Sequence, residues 1–147
     1  MLFRSAPGGS FSATISNDLL GVPLSGLEGP RQIVFIATDA AGNEATTSAS
    51  VVFDRTPPAL TVASPLQGAV IPAARVSVSG TVADATAVSV TVQGAVASVT
   101  GQAYSHMLSD AVEGPLTITV RAVDAAGNET RVVREVEIDL EIGRAHV

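Results

Sequence analysis

One segment of this chain occurs twice. Residues 28–44 read EGPRQIVFIATDAAGNE, and residues 113–129 read EGPLTITVRAVDAAGNE. A Gly-Pro turn, an alternating strand and an identical DAAGN turn therefore recur in the same order. A supersecondary unit used twice at this spacing is typical of tandem arrays of small domains, which supply reach, stiffness or adhesion more often than chemistry.

The composition favours strands over helices. The chain is 46% hydrophobic, but it contains no Trp, four Phe and one Tyr, and its apolar residues are mainly valine and alanine in alternating runs. Such alternation predicts half-buried strands. Because there is no cysteine, neither a disulfide framework nor a cysteine-liganded zinc site can form. The net charge of −6 argues against nucleic acid as a partner, and no apolar run is long enough to span a bilayer.

The two ends of the chain have an unusual coding property. MLFRS at residues 1–5 and EIGRAHV at residues 141–147 can be encoded by one short DNA string read on opposite strands, and this string resembles a sequencing adapter. We therefore expect both ends to be adapter-derived artefacts of a metagenomic fragment and exclude them from the fold prediction.

Residues 6–54 are predicted to be the C-terminal part of a truncated domain. Three alternating stretches lie there: SFSATI, QIVFIAT and TTSASVVF. Alternation predicts the following inward-facing residues: Phe11, Ala13 and Ile15 in the first, Ile33, Phe35 and Ala37 in the second, and Ala49, Val51 and Phe53 in the third.

Residues 55–58 form a Pro-Pro linker, and residues 59–140 read as one complete domain. Seven short alternating strands separated by turn signals predict an antiparallel sandwich with Greek-key connections. The inward positions expected from alternation are Leu60, Val62, Val76, Val78, Val82, Val88, Val90, Val92, Tyr104, Leu108, Leu116, Ile118, Val120, Ala122, Val136 and Ile138. The stretch AVASV is predicted as a single strand.

These residues resemble bacterial immunoglobulin-like repeats of surface adhesins and secreted multidomain proteins. The matching pieces are DRTPPALTVASP, VSVSGTVAD, the G-x-x-Y stretch at Gly101 to Tyr104, and EGPLTITVRAVDAAGN. The resemblance implies an all-β fold of tandem immunoglobulin-like β-sandwiches, the first one truncated. It also implies a secreted or cell-surface, non-catalytic protein whose neighbours are further repeats of the same kind.

The DAAGN turns are candidate structural or metal sites. In the structural interpretation the aspartate accepts backbone N–H bonds, and the glycine takes the left-handed conformation that closes a bulged hairpin. The residues concerned are Asp39, Gly42 and Asn43 in the first copy and Asp124, Gly127 and Asn128 in the second.

The alternative interpretation of the second turn is calcium binding. In a seven-stranded sandwich the loops carrying Asp84 and Asp124 lie at the pole where the chain enters, and Asp54 directly precedes the entering linker. Carboxylate oxygens are the ligands that Ca²⁺ takes. These three residues therefore form a candidate interdomain calcium site, although no EF-hand spacing supports it. No other cofactor is indicated.

No catalytic constellation is present in the sequence. His106 has no partnered base, no G-x-S-x-G motif occurs, and Glu135 and Glu137 alternate with apolar residues as on a solvated strand face. We therefore expect no enzymatic activity from this segment.

Three functions remain open. The first is a structural spacer in a surface adhesin or secreted multidomain protein, with a surface ligand that the sequence does not identify. The second is a carbohydrate- or partner-binding accessory module of a secreted enzyme, which the lack of Trp and the inward aromatic residues weaken. The third is strand addition at an open sheet edge.

Overall fold

The structure is a computed structural model that describes residues 26–141. The predicted strand at residues 10–15, with Phe11, Ala13 and Ile15, lies outside the described residues, as do residues 1–5 and 142–147. Contacts divide the chain into two units, Met1–Arg55 and Thr56–Val147. The described part contains no helix long and apolar enough to cross a membrane. The finer domain boundaries predicted above stay predictions.

In unit 1 the described residues form one antiparallel hairpin. Strand β1 (Gly29–Thr38) pairs with β2 (Glu44–Phe53), and Ile33 lies opposite Ala49. The DAAGN turn connects the two strands.

The burial of this hairpin only partly matches the prediction. Four residues predicted to face inward are half-buried: Ile33, Phe35, Val51 and Phe53. The prediction was wrong for Ala37 and Ala49, which are exposed. Alternation assigns a residue to a face of the strand, but burial also needs a layer above that face, and the described part of unit 1 supplies none over these alanines.

Unit 2 is a two-layered antiparallel β-sandwich. Its strands are β3 (Ala59–Leu60), β4 (Val70–Ile71), β5 (Val76–Ala83), β6 (Val88–Val92), β7 (Ala95–Val96), β8 (Ser98–Thr100), β9 (Ala103–Leu108), β10 (Gly114–Asp124) and β11 (Glu129–Ile138). One sheet has the order β4-β11-β10-β6-β7, and the other has the order β3-β5-β9-β8. The all-β sandwich expected from the sequence is confirmed by these two sheets.

The core of unit 2 lies between the two sheets. It consists of valine, isoleucine and alanine side chains and one aromatic ring, and the alternating positions predicted above supply most of it. Its buried members are Val62, Val76, Val78, Val82, Val90, Val92, Ala97, Tyr104, Ile118, Val120, Ala122, Val136 and Ile138. The other predicted positions, Leu60, Val88, Leu108 and Leu116, are partly buried against it. Valine packs well on a pleated sheet surface, so short strands suffice to build this core.

The chain enters unit 2 at one pole of the sandwich and leaves it at the other. Strand β3 starts opposite the end of β5, where Ala59 pairs with Ala83. Strand β11 ends opposite the start of β10, where Ile138 pairs with Gly114. We call the first the entry pole and the second the exit pole. The last residue of β10, Asp124, lies at the entry pole because it pairs with Val88 at the start of β6.

Two features of unit 2 differ from the predicted strands. Strand β4 was not predicted, because a two-residue strand that pairs in parallel with β11 leaves no periodic signal. The stretch AVASV is not one strand. Strand β7 pairs with β6 in one sheet, β8 pairs with β9 in the other, and the buried Ala97 marks the crossing between them.

Candidate functional site

The second DAAGN turn is held together by the carboxylate of Asp124. Its Oδ1 accepts the backbone N–H groups of Ala126 and Asn128, both at 2.8 Å. Its Oδ2 accepts the side-chain amide of Asn128 at 2.7 Å. Gly127 has φ +92°, a conformation that glycine adopts without steric cost, and its N–H donates to the carbonyl of Asp124 at 3.3 Å. One carboxylate therefore satisfies three donors of a five-residue loop.

The first DAAGN turn has the same geometry. Oδ1 of Asp39 accepts the N–H groups of Ala41 (2.9 Å) and Asn43 (2.8 Å), and Oδ2 accepts the Asn43 side-chain amide at 2.7 Å. Gly42 has φ +88°. The identical sequence thus folds identically in two places, as expected when all partners lie within the turn.

The two aspartates differ in their surroundings. Asp39 is exposed, whereas Asp124 is 6% exposed and is the one charged residue among the buried side chains of the described part. Burial alone would raise the pKa of Asp124, but the hydrogen bonds from Asn128, Ala126 and Gly127 outweigh it and lower that pKa. The pKa of Asp39 is lowered chiefly by the side-chain hydrogen bond from Asn43. Both carboxylates are therefore ionised at neutral pH.

A second carboxylate faces Asp124 at the entry pole. Asp84 follows β5, and its Oδ1 accepts the backbone N–H of Thr86 at 2.8 Å and the Thr86 hydroxyl at 2.9 Å. A carboxylate oxygen of Asp84 and one of Asp124 lie within 4.8 Å of each other. Two ionised carboxylates at this separation repel each other unless a cation lies between them. Within unit 2 the structure therefore brings together two of the three residues predicted as calcium ligands.

The third predicted ligand, Asp54, follows β2 in unit 1 and is half-buried. Its participation in a calcium site stays a prediction.

The sequence analysis missed a tightly packed cluster around Tyr104. This residue is 2% exposed, and its hydroxyl donates to the carbonyl of Thr61 at 2.7 Å. Burial raises the pKa of the Tyr104 hydroxyl, while Arg134 acts in the opposite direction. Opposite Tyr104 stands Gly80, where an added Cβ would meet Thr61 O and would lie 2.7 Å from the Tyr104 hydroxyl oxygen. The signal in the sequence was a glycine inside an otherwise regular strand.

The remaining candidates form no catalytic site among the described residues. His106 is half-buried on β9, opposite Val78. Glu135 and Glu137 are exposed on β11 and line an open surface cleft of about 430 Å³ together with Gln67 and Pro115. This cleft offers no buried acid or base that could be tuned for catalysis.

Two family models match this chain. The family model described as glucodextranase, domain B, matches residues 58–140, and a model of a bacterial Ig-like domain matches residues 10–55. The resemblance to bacterial immunoglobulin-like repeats is therefore confirmed. A solved structure of Clostridium thermocellum CbhA fibronectin(III)-like modules shares 18% identity and covers 82% of this chain and 68% of its own, with a TM-score of 0.47. No curated protein matches the chain.

Proposed function

The chain belongs to the family of glucodextranase domain B, which its residues 58–140 match, and we propose that unit 2 is a non-catalytic spacer module of an extracellular, multidomain bacterial protein. Such a parent is a cell-surface adhesin or a secreted protein with further immunoglobulin-like repeats. In this role the module separates the functional parts of its parent and does not itself bind a substrate.

The position of the two ends of unit 2 carries this proposal. The chain enters at one pole and leaves at the other. Strand β11 alone contains 10 residues, which at about 3.3 Å per residue corresponds to roughly 30 Å along the strand axis. A module whose ends lie at opposite poles adds its full length to the parent chain. A module with adjacent ends would add almost none.

A distance measurement tests the spacer. The chain has no native cysteine, so spin labels on Pro57→Cys and Leu140→Cys report one unique pair. We expect a single narrow distance distribution centred at about 30 Å or more, given the strand length. A broad distribution, or one centred well below that value, would contradict a stiff spacer.

A second candidate is an accessory module that binds carbohydrate beside a secreted enzyme. The name of the matching family favours it, because that family is a domain of glucodextranase. Among residues 26–141 the placement of the aromatic rings speaks against it: Tyr104 is buried, and Phe35 and Phe53 are half-buried. Native affinity electrophoresis of the full chain through gels containing soluble α- and β-glucans separates the two candidates. The spacer predicts unchanged migration, and the accessory module predicts retardation.

We also propose that Ca²⁺ binds between Asp84 and Asp124. The hydrogen bonds that lower the pKa of Asp124 keep it ionised, so protonation does not relieve its repulsion with Asp84 at neutral pH. A divalent cation held by carboxylate oxygens would relieve it. The sequence predicts Asp54, which directly precedes the linker, as a third ligand.

The two DAAGN copies provide a matched control for calcium binding. Tyr104 is the single tyrosine and there is no Trp, so intrinsic fluorescence reports on unit 2. We expect Ca²⁺ to raise the melting temperature of the unsubstituted chain above its value in chelator. Asp124→Asn and Asp84→Asn should abolish this shift, and Asp54→Asn should reduce it. Asp39→Asn changes the same turn in unit 1 and should leave the shift intact. Identical melting curves of the unsubstituted chain in Ca²⁺ and in chelator would refute the calcium site.

A further inference from the structure

A short segment of unit 2, residues 58–71, is hydrogen-bonded to both sheets of the sandwich. It contains only the two-residue strands β3 and β4. Its bonds to the four-stranded sheet are Thr61 N–H to Thr81 O (2.8 Å), Tyr104 O–H to Thr61 O (2.7 Å), Ala63 N–H to Ser79 O (2.8 Å) and Ser79 N–H to Ser64 O (2.9 Å). Its bonds to β11 are Thr130 Oγ1–H to Pro58 O (2.6 Å), Arg134 Nη2–H to Val62 O (3.2 Å), Gly68 N–H to Glu135 O (2.8 Å), Glu135 N–H to Gln67 Oε1 (3.1 Å) and Glu137 N–H to Ala69 O (2.9 Å). A final bond joins Asp139 N–H to Ile71 O (3.0 Å).

The direction of these strands determines how the bonds respond to tension. Residues 58–71 run from the entry pole towards the exit pole, and β11 runs the same way because β4 pairs with it in parallel. When unit 2 is stretched between its ends, the segment is drawn back towards the entry pole while β11 is drawn out through the exit pole. The segment and β11 must then slide past each other along their axes. The bonds between them are loaded together instead of one after another.

We propose that residues 58–71 and β11 form a mechanical clamp that lets unit 2 bear tension along its axis. Forced unfolding is governed by the unfolding rate, so a clamp that must break as a whole raises the unfolding force without requiring a larger equilibrium stability. The biological meaning of the clamp rests on the proposed spacer function. A spacer needs only length, however, so a mechanically weak unit 2 would overturn the clamp and leave the spacer intact.

Single-molecule pulling of the full chain in two directions tests the clamp, with handles attached to introduced cysteines. Pro57→Cys with Leu140→Cys loads the segment and β11 along their axes. Val70→Cys with Val96→Cys pulls across the five-stranded sheet, because these exposed residues lie in β4 and β7, its two edge strands. We expect the axial unfolding force to be roughly twofold higher than the transverse force at the same loading rate. Equal forces would overturn the proposal.

A substitution in β11 separates mechanical from thermodynamic stability. Glu137→Pro removes the N–H that donates to Ala69 O, and it costs no bond to β10 because that N–H is directed to residues 58–71 and not to β10. We expect it to lower the axial force and to leave the transverse force unchanged. The control, Val90→Ala, removes core volume on β6 away from the segment. It should lower the melting temperature while preserving the ratio of axial to transverse force.

A milder variant keeps the test decisive if Glu137→Pro does not fold, as judged by Tyr104 fluorescence. Gln67→Ala deletes the side-chain bond to Glu135 N–H without changing the backbone. We expect it to lower the axial force selectively, by less than Glu137→Pro. An axial-to-transverse ratio that changes no more than in Val90→Ala would refute the clamp for either variant.

Discussion

Gly80 lies next to the hydrogen bond between the Tyr104 hydroxyl and the Thr61 carbonyl. Its Cα leaves just enough room for the Thr61 carbonyl and the Tyr104 hydroxyl that donates to it. Its φ lies outside the left-handed region, so the requirement for glycine here is steric and not conformational. Gly80 therefore makes possible one of the hydrogen bonds that attach the start of unit 2 to the sandwich.

We predict that Gly80→Ala destabilises unit 2 by about 3 kcal/mol, because overpacking and the loss of the Tyr104 hydrogen bond add together. Urea unfolding followed by tyrosine fluorescence measures the change. Ser77→Ala lies on the outward face of the same strand and should change the stability by less than about 0.5 kcal/mol. Equal effects of the two substitutions would show that the cluster is not tightly packed.

Asp124 makes the stability of unit 2 depend on pH. Its pKa in the folded state lies below the ordinary value of 3.8, so the unfolded state takes up its proton first as the pH falls. The stabilisation from the ionised carboxylate is therefore complete above about pH 4 and is lost as the pH falls through the folded-state pKa. Acid should weaken unit 2 in that range.

We predict that Asp124→Asn lowers the stability of unit 2 at pH 7 and flattens its pH dependence below about pH 4. Urea unfolding midpoints read from Tyr104 fluorescence between pH 7 and pH 2 measure both effects. Asp39→Asn alters the equivalent turn of unit 1 and should leave these midpoints unchanged. Parallel pH profiles for the unsubstituted chain and Asp124→Asn would rule out this carboxylate as the source of the pH dependence.

At the scale of elements, the turn between β6 and β7 extends the sheet beyond its backbone pairing. Strand β6 pairs with β10 only from Val120 to Asp124. Beyond that point Gln93 continues the pairing with one backbone bond, from its N–H to Thr119 O (2.9 Å), and with its side chain. The side-chain amide donates to Thr117 O at 2.7 Å, and Oε1 accepts Thr119 N–H at 3.2 Å. A glutamine side chain thus replaces one rung of the backbone ladder.

We predict that Gln93→Ala lowers the unfolding free energy by about 1 kcal/mol, because two exposed hydrogen bonds are lost. It should also accelerate hydrogen exchange of the Thr119 amide relative to that of Val120. Gln102→Ala removes an exposed glutamine for which the structure gives no side-chain hydrogen bond, and it should be neutral. Unchanged exchange at Thr119 would mean that Gln93 does not act as a rung.

The elements that the sequence predicts are those whose physical cause is local. Alternation located the long strands β10 and β11, because burial of one face repeats every second residue. The turn aspartates were also predictable, since donors and acceptor lie within five residues. Strand β4 was not, because its partner β11 is distant in sequence. The crossing at Ala97 was not either, because alternation marks the buried face of a strand but not the sheet that the strand joins. The approach of Asp84 to Asp124 followed only once the fold class supplied the topology.

For the molecule as a whole, the repeated segment shows how much of a strand's stability comes from its surroundings. In unit 2 the copy forms β10, whose residues Ile118 and Val120 are fully buried between two sheets. In unit 1 the copy forms β1, where the aligned residues Ile33 and Phe35 are only half-buried. The two copies therefore have similar sequences and identical turns, but β10 makes more apolar contact than β1.

We predict that this difference governs local stability, because opening energies follow buried apolar contact more closely than backbone pairing. Native-state hydrogen exchange should protect the amides of Ile118 and Val120 roughly a hundredfold or more above those of the aligned Ile33 and Phe35. The aligned positions act as internal controls, because each pair occupies the same place relative to a DAAGN turn. Equal protection of the two copies would show that the turn and the hairpin stabilise this segment on their own, and that packing between sheets adds little.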